Sequence, residues 1–304
     1  MQHHGPPARD AAVPGRLGWL LLVATPAMMA SSILVARLAA GWIPPMQLTF
    51  WRWLLAGLLG AALGFPLLRR NAPQLWREWP ALLLLGAVGM TLCGSTAYLA
   101  GQTSTALNMA LIYASSPVLM VLLARAFLDE PLGAARAAGI ALCLAGIGAI
   151  LSRGNPAALA AIEFNRGDLW AASGSVGWAV YSLLLKRLPT RLDLHTRFVG
   201  LSAAAALTAA PLALIEAAHG ASVPVTPAAL GLLAFTVVIG SYVVYVSYAR
   251  LQVLAGVGFA GLTVYLSPLY AALYGWLFIH EDLHGYHLAG VALTLPGIWL
   301  AGRR

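Results

Sequence analysis

The sequence predicts an all-α integral membrane protein: ten transmembrane helices built as two inverted repeats of five, with both termini cytoplasmic. Three observations predict it. The composition is too apolar for a soluble core, one long segment occurs twice, and the basic residues fall on alternate loops. Of the 304 residues, 60% are hydrophobic and 9% charged, with a mean hydropathy of +0.80. A soluble domain carries about a quarter of its residues as charged ones. The net charge of +8 reads as basic residues at span ends, so no nucleic-acid partner is expected. Cys93 and Cys143 lie inside apolar runs. They form no disulfide framework and no metal-ligand spacing, and read as small buried residues.

The duplication covers Ala106 to Gly154 and a stretch near the C-terminus. Without a gap, Ser116-Pro117 falls on Ser267-Pro268, Phe127 on Phe278 and Glu130 on Glu281. Leu132 falls on Leu283, Ala138-Gly139 on Ala289-Gly290, and Gly146-Ile147 on Gly297-Ile298. A match of this length at one offset is the signature of an internal repeat.

In chain order, residues 1–15 hold three prolines, two glycines and little that packs, and are expected to be a disordered tail. A membrane helix needs about 20 mostly apolar residues. With Pro, Gly and charges as punctuation, spans fall near 17–39, 46–68, 78–100, 105–128, 133–152, 167–186, 195–217, 227–248, 253–279 and 285–302. The first half is then 16–153 and the second 154–304. With the N-terminus inside, 14 of the 18 basic residues lie on cytoplasmic segments, leaving Arg37, Arg52, Arg153 and Arg166 on the other side. That bias fixes the expected orientation. Five spans per half is an odd number, so the second copy must cross the membrane in the opposite sense. Inverted halves related by an in-plane axis are an architecture of secondary transporters, whose substrate site lies between them.

The acidic residues and His195, His219, His280, His284 and His287 all fall in loops or at span ends. By this reading no ionisable group reaches the middle of a span, where one would mark function. Coupling through a buried carboxylate is therefore not expected. Lys186, the single lysine, follows Leu185, which excludes a phosphate-binding loop. Ser173-Gly174-Ser175-Val176-Gly177 lacks a base in reach and reads as close helix packing. No catalytic residue, cofactor or metal is expected; the cluster His280, Glu281, Asp282, His284 and His287 reads as a solvated loop.

Neutral polar and aromatic residues at helical spacing supply the candidate site. The stripes are Thr25, Met28 and Ser32; Thr91, Ser95, Tyr98 and Gln102; Tyr113, Ser116 and Met120; Ser175, Trp178 and Tyr181; and Ser241, Tyr245 and Tyr248 beside Tyr242. Such faces line a shared cavity suited to a small zwitterionic or amphiphilic solute, since aromatic faces attract an ammonium group by about 1–2 kcal/mol when desolvated. Pro117 and Pro268 lie inside their spans, where proline kinks a helix. They are expected to act as paired hinges beside Ser116 and Ser267.

The segments A-L-I-Y-A-S-S-P-V-L-M-V-L-L-A-R-A-F-L-D-E-P-L at 110–132 and L-S-P-L-Y-A-A-L-Y-G-W-L-F-I-H-E at 266–281, with Trp178-Ala179-Val180-Tyr181, resemble the EamA-type exporters of the drug/metabolite transporter superfamily. The last element is similar to the amino-acid exporters of that superfamily, including the aromatic-amino-acid branch. The resemblance implies ten helices, alternating access and export of amino acids or related metabolites from the cytoplasmic membrane. The expected cargo contacts are Trp178, Tyr181, Tyr98, Tyr113, Tyr245, Tyr242, Ser95, Ser116 and Ser267. The bilayer and a small-molecule cargo are the expected partners of a monomer. Proton-driven efflux of cationic drugs is the alternative.

Overall fold

The structure is a computed structural model and describes residues 16–302 except 114, 129–132, 153–154, 156–164, 262 and 282–283. The expected N-terminal tail and Glu130 therefore lie outside the described residues. The described elements are all helical: α1 (Arg16–Leu38), α2 (Pro45–Leu63), α3 (Phe65–Arg77), α4 (Trp79–Gly101), α5 (Ala106–Tyr113), α6 (Ser116–Leu128) and α7 (Ala134–Leu151) come first. They are followed by α8 (Arg166–Arg187), α9 (Leu194–Ala218), α10 (227–261), α11 (Thr263–Ile279) and α12 (Gly285–Gly302). Six helical stretches among the described residues are long and apolar enough to cross a membrane. Large apolar side chains face outward along the bundle, Leu288 being 73% exposed. In water these faces would be costly; in lipid they need no cover.

The expected span at 46–68 is corrected: α2 ends at Leu63 and α3 begins two residues later. Gly64 leaves helical geometry and Pro66 fits the open first turn of the next helix. No side chain of α3 is buried, and it carries Arg69, Arg70 and Arg77 beside exposed Phe65, Leu67 and Trp76. That composition belongs to a helix lying in a membrane interface.

Helix packing follows a reciprocal pattern. α7 packs on α12 and α2 on α9, while α1 packs on α11 and α8 on α6. At the α7–α12 contact a methyl group on Gly146 would fall 2.8 Å from the Gly290 carbonyl oxygen. One on Gly297 would fall 2.8 Å from the Gly139 carbonyl. The duplicated glycines thus exchange places across one interface, and only residues without a Cβ permit that approach.

The copies differ at their prolines. In the first copy a turn at Ser115 precedes the helix that starts at Ser116, whereas α11 runs from Thr263 to Ile279 through Pro268.

A candidate cavity between the halves

Two π turns set the register of the polar faces. One occupies Gly86–Leu92 inside α4, the other Val238–Val243 inside α10. Such turns open the helical hydrogen-bond ladder and recur at functional sites. Gly89 and Gly240 within them are separated by the 151 residues that carry Ser116 onto Ser267.

The turn in α10 receives a charge. Arg52, seven residues into α2, is only 8% exposed. Its Nε donates to Ser241 Oγ at 2.8 Å, Nη1 to Tyr98 Oη at 2.9 Å, and Nη2 to the Gly240 carbonyl at 2.7 Å. Its guanidinium carbon stands 4.8 Å from the centre of the Trp53 ring. This corrects the reading that placed Arg52 at the mouth of its span. α2 begins at Pro45, so Arg52 lies about 10 Å along its axis and inside the bundle. Its seventh place in an otherwise uncharged apolar run was the signal in the sequence.

Along α10, beyond Tyr242, a cavity of about 520 Å³ opens between α1, α9 and α10. Leu17, Leu194, Phe198, Tyr242, Tyr245 and Arg250 are among its walls. The Tyr245 and Phe198 ring centres are 4.9 Å apart, and Tyr242 meets Phe198 edge-on at 5.6 Å. His195 closes the α2 side, with Nε2 2.7 Å from the Gly60 carbonyl. The sequence reading did not select Phe198 or His195, because neither belongs to a polar stripe.

The expected cargo residues occupy one connected region. Tyr98 and Tyr181 are buried in the main apolar cluster, and Tyr113, Trp178, Tyr242 and Tyr245 pack against it. Trp178 and Tyr181 have ring centres 5.2 Å apart. Of the expected residues, Tyr242 and Tyr245 border the cavity. Tyr98 binds Arg52, and Tyr113 donates to the Cys93 carbonyl at 3.2 Å. Ser95 is buried and bonds its own helix at the Leu92 carbonyl. Ser116 is buried at the start of α6, and Ser267 is half-buried on α11. The side chains of Pro117 and Pro268 lie outside the described residues.

The opposite end of the bundle is tied together by polar contacts. Arg37, at the end of α1, pairs with Glu281 at 3.0 Å and donates through Nη1 to the Gly101 carbonyl at 2.8 Å. The Glu281 carboxylate also accepts the Ala106 N–H at 3.0 and 3.1 Å, capping α5. His280 adopts a left-handed φ of 55°, which ends α11 and turns Glu281 inward. Ser104 donates to Asp168 at 2.6 Å, tying α4 to the start of α8. No group of three or more metal-ligating side chains occurs among the described residues.

The sequence model of the EamA-like transporter family matches this chain twice, over residues 16–152 and 165–303. The chain belongs to that family. EamA-like transporters are multi-pass membrane proteins, as the apolar helices here require. An uncharacterized transporter of Archaeoglobus fulgidus is 27% identical over 288 residues, covering 92% of this chain and 96% of that one. The uncharacterized transporter YyaM of Bacillus subtilis is 24% identical over 174 residues, 55% of this chain and 56% of YyaM. A solved crystal structure of a protein superposes with a TM-score of 0.64 at 21% identity over 94% of both chains, a likeness of fold.

Proposed function

We propose that this EamA-like protein is a secondary transporter that exports amino acids or related small amphiphilic metabolites across the cytoplasmic membrane. In this reading ten spans form two inverted halves, and cargo passes between them by alternating access. The observation that carries it is a cavity walled by Tyr242 and Tyr245 at one end of the bundle, opposite an end tied together by Arg37 and Glu281. A permeation pathway open at one end and sealed at the other is what alternating access requires of any single state.

The inverted symmetry rests on the reciprocal glycine contact of α7 and α12 and on the π turns at matching positions. With both termini cytoplasmic, the cavity faces the cytoplasm, the side from which an exporter loads. Arg250 lines the cavity, and Arg52 is held by Ser241, next in sequence to the wall residue Tyr242; these cations disfavour cationic drugs as cargo. Transport is expected to be facilitated and to need no buried carboxylate. Counterflow in liposomes across a panel of amino acids, nucleosides and quaternary amines tests the reading. Amino acids should exchange, and a panel with no exchanging solute would overturn it.

A further inference from the structure

We infer that Arg52 anchors a carboxylate of the transported solute, so that the cargo class is carboxylate-bearing amphiphiles. The inference rests on the transporter reading and names the chemistry of its site. Arg52 has five N–H donors. Three hydrogen bonds to Ser241, Tyr98 and Gly240 leave two. All three acceptors are neutral. No carboxylate among the described residues pairs with Arg52, so it is buried without a counter-ion among them. A buried charge lacking its opposite is unfavourable, and an arriving anion relieves it.

The neighbouring polar atoms have the same bias. Trp53 is 7% exposed and its Nε1–H has no hydrogen-bond partner. That atom lies 3.5 Å from where a Cβ on Gly94 would be, on the α4 face that also carries Tyr98. Half-buried Arg197 leaves its Nε unpartnered, within electrostatic reach of Tyr181 and Tyr245. These unmet donors beside the aromatic cluster call for an acceptor. A planar carboxylate fits a guanidinium fork with two open N–H groups and matches its single charge. The residue inward from cavity-lining Tyr242 is Ser241, which holds Arg52. A solute moving inward along α10 therefore passes Arg250 and the aromatic rings before it reaches Arg52.

The test compares L-phenylalanine with L-phenylalaninamide, which lacks the carboxylate, in liposome counterflow. The wild type should favour the acid. In Arg52→Gln, acid transport should fall about 10- to 100-fold through KM, while the amide changes by less than about threefold. Arg52→Lys should restore part of the preference. Trp53→Phe removes the unmet donor and keeps the ring, so it covers the case in which Arg52→Gln fails to fold. It should weaken acid transport with an unchanged melting temperature. Equal transport of both probes by the wild type, or equal losses of both in the variants, would overturn the anchor. Exchange of solutes without an acid group, with neither probe moving, overturns the anchor and leaves the transporter reading standing. No exchange of any solute ends both.

Discussion

Arg37 and Glu281 are 244 positions apart in the chain, yet their side chains meet at 3.0 Å. The pair fastens the end of α1 to the turn after α11 and, through the Ala106 N–H, to the start of α5. Glu281→Gln removes the charge from three helix ends together. It should lower stability by about 1–3 kcal/mol, the range for losing charge-assisted hydrogen bonds, read as melting temperature in detergent. A cysteine placed at Ser104 should become more reactive towards an impermeant maleimide; unchanged reactivity would show that the pair is no seal.

Gly89 lies against the ring of Tyr181: an added Cβ would fall 2.3 Å from Cδ2. Gly89→Ala must displace Tyr181 and with it the Trp178 contact. A stability loss of about 1–3 kcal/mol is expected from overpacking, with reduced uptake per folded molecule. Gly231, where a Cβ would meet nothing within 4 Å, serves as the control.

Glu216 at the end of α9 accepts the N–H groups of Met46 at 3.1 Å and Gln47 at 2.8 Å, capping α2. This fixes the register of the helix that carries Arg52. Glu216→Ala should cost about 0.5–2 kcal/mol, as for other lost caps, measured by thermal unfolding in detergent.

Asp193 caps α9 through the N–H groups of His195 and Thr196. Burial pushes its carboxyl up, but hydrogen bonds from Thr196 and His195 and the His195 charge outweigh that and hold it below the usual range. A lowered folded pKa gives stability that is present above the unfolded value and lost as pH falls through the folded one. Asp193→Asn should therefore be less stable than wild type at neutral pH. The gap should close as pH drops below about 4, the unfolded Asp value. A gap independent of pH would contradict this.

The turn before Ser116 has no counterpart in α11. Pro117→Ala should therefore alter uptake rate more than Pro268→Ala at equal expression. Equal effects in liposome kinetics would restore the symmetric hinge.

The all-helical membrane architecture was legible in the sequence because lipid imposes it, as long apolar runs with basic residues between them. The aromatic stripes were legible from helical spacing, which puts each set on one face; helix packing then joins Tyr98, Trp178, Tyr181 and Tyr245 in one cluster. Arg52 was misplaced because counting charges by loop assigns each cation to the nearest boundary. Its depth became evident once α2 began at Pro45 and Gly240 supplied a carbonyl. The separation of α3 from α2 at Gly64 was missed because Phe65, Leu67 and Leu68 extend the apolar run past the break. Hydropathy carries no record of which carbonyl an amide chooses, so it could not show the π turns.

A π turn is an α-helix with one residue more than its ladder can use. Both halves of this chain carry that surplus, at Gly89 and at Gly240. The two surpluses sit 151 positions apart, the same offset that carries Ser116 onto Ser267. Arg52 has Ala203 at the matching position, so only the turn in α10 holds a charge. The widened helix is common to both halves, and the charge that occupies it sets one half apart.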